Sequence, residues 1–242
     1  MPFTGAAELT RTNFASAYRK ETQTATPGYY AVTLDDNHAK VAVAAAKHAA
    51  IYEIDYLGDG SPKMFVDLQY GILNWTIKTP ERRVLAYDVR REGDRTIVGT
   101  LETQVWVKRT FAFKLTFDRA ISSWTDLPAR DPHEKGKRFV LGFDLPAGGK
   151  LRAKFAISAK DVAAAARNLA EAFITLGDAR GAIDVAKEGL KDAKAKPEEK
   201  AFLAFVTRLA DCPNDAKAAE NRAKEAVSLL ADVKDPDRVK GL

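Results

Sequence analysis

Three tryptophans, Trp75, Trp106 and Trp124, are the residues of this chain whose chemistry best suits a ligand. An indole offers a flat apolar face and one N–H donor, a combination that can stack on a sugar ring while hydrogen bonding at its edge. Core packing is the ordinary use of so large a residue. Trp106 stands between Gln104 and Lys108 at two-residue spacing, so a strand there puts it on a polar face, nearest the surface of the three. Other chemistries lack their residues. Three histidines (His38, His48, His133) and one cysteine, Cys212, make no zinc-ligand pattern, and no metal site or cofactor is expected in this chain. Gly-x-Ser-x-Gly, His-Glu-x-x-His and Cys-x-x-Cys do not occur. The carboxylate pairs Asp35/Asp36 and Glu198/Glu199 fall at a turn and at a helix start, both ordinary places for acids. Glycoside hydrolysis needs two carboxyls converging across a sugar ring, and no such pair stands out. No catalytic residue is assigned.

The bulk composition narrows the classes further. The chain has 242 residues, 46% of them hydrophobic and 29% charged, as in an ordinary water-soluble domain or pair of domains. Apolar runs fall short of a membrane span, and no basic segment followed by an apolar core marks a signal peptide, so no membrane contact is expected. The net charge is +5, but 38 basic residues are interleaved with 33 acidic ones. Even the most basic stretch, Lys78 to Arg91, contains Glu81 and Asp88. A nucleic-acid partner, which needs a clustered basic footprint, is not expected.

The elements that must position these residues change character near residue 158. Before it, two-residue alternation predicts strands near 29–35, 39–46, 49–56, 63–69, 72–78, 83–90, 95–101, 103–117, 138–145 and 150–157. The turns are Asp35-Asp36-Asn37, Gly58-Asp59-Gly60, Glu92-Gly93-Asp94 and Ala147-Gly148-Gly149. Regular strand–turn spacing predicts an antiparallel β-sandwich over residues 1–157. Phe111, Phe113, Leu115 and Phe117 share one strand face and should be core, while 128–137, polar and holding two prolines, should be a surface loop.

After that point, Ala, Lys, Glu and Leu at helical spacing predict an α-helical segment over 158–242, with helices near 160–174, 179–193, 198–211 and 215–232. Ser158 is the expected cap of the first, with Asp161 three residues on. Asn168-Leu169-Ala170, Gly177-Asp178, Ala182-Ile183 and Gly189-Leu190 follow the pattern of a tetratricopeptide repeat, with small residues where paired helices approach closely. That pattern gives one functional alternative, a protein-interaction module. A carbohydrate-binding sandwich is another.

Pro27-Gly28 carries a further signal. Proline sets φ for the first turn position and glycine accepts positive φ at the second, and alternating Tyr29 to Leu34 follows at once, so the turn launches a strand. In the run Glu21-Thr22-Gln23-Thr24-Ala25-Thr26-Pro27-Gly28-Tyr29-Tyr30, Glu21, Ala25, Pro27, Gly28, Tyr29 and Tyr30 match a motif of the glycoside hydrolase family 92 α-mannosidases. Val43 to Tyr56, Ile97-x-Gly99, Trp106, Phe113, Phe117 and Ala164 to Leu169 follow in the same order. The chain therefore resembles that family's N-terminal β-sandwich and linker helices over roughly residues 1–213. Lys20, Gln23, His48 and Tyr52 depart from its pattern.

The resemblance implies a galactose-mutarotase-like supersandwich followed by linker helices. It implies kinship with exo-acting, inverting, calcium-dependent α-mannosidases, whose general acid, base and calcium belong to an (α/α)6 barrel expected to lie outside this chain, as does a glycine-rich loop before Met1. The expectation is a domain inactive alone, with a glycan or an adjacent catalytic domain as partner, self-association through exposed apolar surface, and a periplasmic or extracellular setting as in the family.

Overall fold

The Pro27-Gly28 turn forms as the sequence predicts. Gly28 has φ of 78°, and Thr26 and Tyr29 pair across the two-residue loop. The computed structural model describes residues 1–5, 15–69, 84–104, 107–129, 135–175, 179–191 and 195–210. The strand expected at 72–78, the helix expected at 215–232, and Trp75 and Trp106 lie outside them.

Among the described residues, twelve strands make two sheets, followed by three helices: the β-sandwich and helical tail that the residue patterns predict. The smaller sheet has the order β1 (Pro2–Thr4), β6 (Pro62–Asp67), β11 (Arg138–Phe143), β10 (Ile121–Leu127). The larger runs β2 (Thr24–Thr26), β3 (Tyr29–Leu34), β4 (Ala39–Ala45), β5 (Ala49–Tyr56), β12 (Lys150–Ser158), β9 (Lys108–Phe117), β8 (Thr96–Gln104), β7 (Val84–Glu92). Two antiparallel meanders, β2 to β5 and β7 to β9, are thus joined by the late strand β12 between them.

The expected strand at 103–117 divides into two. β8 ends at Gln104, β9 begins at Lys108, and these two residues face each other across the hairpin rather than sharing one strand. The spacing of Gln104 and Lys108 therefore does not place those two residues on one strand face. Neither glycine nor proline lies between Gln104 and Lys108 in the sequence, so the β-rich run 103–107 reads as continuous. β1, β2 and β10 are additional strands. All three lie at sheet edges, where short or polar segments pair without a buried alternation to announce them.

The core phase read from β9 is right for Phe113, Leu115 and Phe117, which are buried, while Phe111 is half-buried. Phe117 packs on Phe143 of the facing sheet at 4.9 Å between ring centroids. Lys114, on the opposite face of β9, is also buried, held by Glu92 at 3.2 Å. On β12 alternation is simpler: Leu151 and Ala153 point inward, while Arg152 reaches Glu53 at 3.0 Å and Lys150 reaches Asp55 at 2.9 Å on the outer face.

The chain divides into two compact units, Met1–Ala46 with Ala50–Phe155, and Lys47–Ala49 with Ala156–Leu242. In the second, α1 (Val162–Thr175), α2 (Ala179–Gly189) and α3 (Pro197–Ala210) pack on one another. Leu169, Phe173, Phe202 and Val206 are buried there. The cap of α1 is Asp161 rather than Ser158: the Asp161 carboxylate accepts the Ala164 N–H at 2.8 Å, the N-cap to N3 bond. Ser158 Oγ instead accepts the Lys160 N–H at 3.0 Å, closing a local turn before the helix.

Candidate functional site

Trp124 is the one sequence-nominated site residue that lies among the described residues. It sits on β10, the edge of the smaller sheet, opposite Leu141 of β11. A register shift between Ile121 and Ser123 resets the strand so that Trp124 and Asp126 share the side of Phe139, Leu141 and Phe143. The indole stacks on Phe139, with 4.1 Å between centroids and 16° between planes. Its N–H donates to Asp126 Oδ1 at 2.6 Å. Lys137 completes the group, its ammonium 3.1 Å from Asp126 Oδ2 and 5.4 Å from the indole centroid.

Trp124 is therefore half-buried, with one face closed by a fully buried phenylalanine and its donor already engaged. What stays accessible is an aromatic edge flanked by an acid and a base. Such a surface suits a polyol: the ring meets C–H groups, and Asp126 and Lys137 accept and donate at hydroxyls.

The stretch that carries the family motif is locally well tied. Asp36 accepts the Ala17 N–H at 2.7 Å and Arg19 meets Asp35 at 3.4 Å, fastening residues 16–19 to the β3–β4 turn. Gln23 Nε2 donates to the Tyr30 hydroxyl at 3.2 Å. Glu21 is exposed and 3.9 Å from Arg19. The carboxylates flagged at Asp35/Asp36 thus serve the turn. Of Glu198/Glu199, Glu199 is buried and bonded to Arg167 at 3.4 Å, a role its helix-start position did not reveal.

Among the described residues no group of three or more His, Cys, Asp or Glu side chains could hold a metal ion. The calcium implied by the family resemblance finds no fitting donor set there. Burial raises the pKa of Tyr52 and Tyr56, keeping both phenols neutral donors through the physiological range.

A family model described as the glycosyl hydrolase family 92 N-terminal domain matches residues 1–158. Among solved structures, a family GH92 alpha-mannosidase from Bacteroides thetaiotaomicron is similar, with a TM-score of 0.61 and 20% identity over 86% of this chain and 31% of that one. The same enzyme in complex with mannoimidazole gives a TM-score of 0.59 at 21% identity, over 86% of this chain and 30% of that one. A family GH92 inverting mannosidase from Bacteroides thetaiotaomicron VPI-5482 gives 0.55 at 16% identity, over 96% of this chain and 29% of that one. The chain spans about a third of the length of these mannosidases, and likeness at such identities establishes the fold. No curated protein matches it by sequence.

Proposed function

This chain belongs to glycoside hydrolase family 92 through its N-terminal domain, and from that membership we propose that it is the sandwich part of a glycan-processing, α-mannosidase-like protein and is inactive by itself. The observation that carries the reading is the extent of the family match. It ends at Ser158, the last residue of β12, so it covers both sheets from β1 onward. Inverting hydrolysis requires an acid and a base about 6.5–9.5 Å apart around the scissile bond. The acids described above are instead committed to turns, caps and ion pairs: Asp36 to Ala17, Asp161 to Ala164, Glu199 to Arg167.

In this reading the domain supplies glycan contact and a docking surface, and Trp124 is the contact residue. The decisive measurement is mannose release from an aryl α-mannoside by the purified chain, with and without calcium. No release is expected; calcium-dependent release would overturn the assignment. Glycan contact is measured separately, by titration with methyl α-mannoside. Weak saturable binding that disappears in Trp124→Ala supports it, and binding unaffected by that change removes Trp124 from the site.

The helical unit supports a second reading as a protein-interaction module. A Cβ added at Gly189, at the end of α2, would lie 3.0 Å from Ala166 Cβ and 2.7 Å from a Leu203 methyl, so glycine sits where three helices converge. Repeat modules use small residues in this way. Residues 159–242 expressed alone distinguish the readings: a monomeric fragment that melts cooperatively favours the module, and an aggregating one the linker.

A further inference from the structure

Eight strands at about 4.8 Å spacing make a sheet roughly twice as wide as four, so the four strands of the smaller sheet among the described residues do not cover all of the larger. β1, the edge of the smaller sheet, reaches β4, and the inward face of β3 continues past it. A cavity of about 630 Å³ lies between the sheets at this edge, walled by Val32, Val41, Tyr52, Ile54, Met64 and Leu115. Tyr30 and Tyr18 also line it. That volume is in the range of small-molecule sites, about 300–1,000 Å³, and well beyond the gaps of a packed core.

We propose that this cavity binds an uncharged, largely hydrocarbon small molecule with one oxygen that accepts a hydrogen bond from the Tyr52 hydroxyl. The walls set the apolar character: five of the eight side chains named above are hydrocarbon or thioether and the other three are tyrosines, so a strongly polar ligand would lose its water with little replacement there. The Tyr52 hydroxyl has no hydrogen-bond partner among the described residues, whereas that of Tyr30 already receives Gln23. Burial keeps the Tyr52 phenol protonated, so it is a donor.

The charge pattern disfavours an anionic headgroup at neutral pH. Asp67 is the one charged side chain among the described residues lining the cavity, its carboxylate 3.6 Å from Arg138 Nε, and the buried Met1 α-amine, which also lines it, donates to the Phe65 carbonyl at 2.7 Å. Lysine, arginine and histidine are not among those lining residues, and burial lowers the Met1 amine to a pKa of about 6, so at neutral pH a carboxylate ligand would meet a mostly uncharged amine already bonded to Phe65 rather than a standing counter-charge. The inference is independent of the mannosidase reading. It concerns the interior of the sandwich, not the Trp124 edge.

The test uses the full chain and a neutral fluorescent probe, N-phenylnaphthylamine. Saturable one-to-one fluorescence enhancement is expected, reversed by decanol but not by decanoate at neutral pH or by methyl α-mannoside. Val41→Trp fills the cavity from a half-buried position and should weaken probe binding by about tenfold or more. Its circular dichroism and melting are checked alongside. Tyr52→Phe, a milder change, should weaken decanol displacement about fivefold, the worth of one hydrogen bond, and leave probe affinity unchanged. No saturable signal, equal uptake by a folded Val41→Trp, or displacement by decanoate as effective as by decanol would each overturn the proposal. If Val41→Trp does not fold, unchanged decanol affinity in Tyr52→Phe overturns it.

Discussion

The hydroxyl of Tyr56 on the eight-stranded sheet donates to the carbonyl of Lys63 on the four-stranded sheet at 3.0 Å, a hydrogen bond that spans the sandwich. Tyr56 is fully buried, and burial raises its pKa well above the ordinary 10. The folded state therefore keeps a proton that the unfolded chain releases once pH passes about 10. Stability from this group is complete below that pH and falls as pH rises through it.

Tyr56→Phe should cost about 1–2 kcal/mol at neutral pH, through the lost bond and the unpaired Lys63 carbonyl. Phenylalanine does not titrate, so the gap between variant and parent should narrow above about pH 10. Urea unfolding at neutral pH and at several alkaline values measures this. A constant gap would show that the phenol ionises alike in both states.

Phe113 lies over Gly99 on the neighbouring strand, directly opposite in register. A Cβ at Gly99 would come 2.9 Å from Phe113 Cε1 and would also press on the Asp88 carbonyl. Phe113→Ala should cost roughly 3–5 kcal/mol as a buried phenylalanine. Gly99→Ala should cost about 1–3 kcal/mol by overpacking. Combining them tests the contact: the double variant should be less destabilised than the sum, since alanine at 113 relieves part of the clash. Strict additivity in chemical denaturation would rule out that coupling.

Asp161 and Ser158 compete as the start of α1, and the geometry favours Asp161. Asp161→Ala should destabilise by about 0.5–2 kcal/mol, the usual loss for an N-cap. Ser158→Ala should cost less, because its bond to Lys160 closes a turn and satisfies none of the helix donors. Thermal melts followed at the helical signal compare the two, and an equal or larger loss at Ser158 would contradict the assignment.

Glu199 meets Arg167 at 3.4 Å and Lys160 at 3.9 Å, and the Arg167 guanidinium also stacks 4.5 Å from the Phe202 ring. Removing one partner of a buried pair leaves the other desolvated, so Glu199→Ala should cost about 3 kcal/mol. Arg167 retains Glu171 at 2.9 Å, which keeps the cost from rising further. Glu171 is one-third exposed, and Glu171→Ala should cost less than about 1 kcal/mol. Similar denaturation midpoints for the two variants would show that burial of Glu199 carries little energy.

The sequence by itself determined whatever depends on a residue and its near neighbours. Pro27-Gly28 made its turn because the backbone freedom of those two residues alone dictates it. The inward phase of Phe113, Leu115 and Phe117 follows from the two-residue pleat, and the small residue at Gly189 marked a close helix approach. The ordered motifs from Glu21 to Leu169 identified the family. Tertiary structure decided which distant segments meet. β12 enters between two meanders, Gln104 turns to face Lys108, Phe139 closes one face of Trp124, and the larger sheet overhangs the smaller to leave a cavity. Local sterics fix how a strand faces. Its partners depend on long-range pairing, where loop-closure cost and the burial of two whole sheets are settled together.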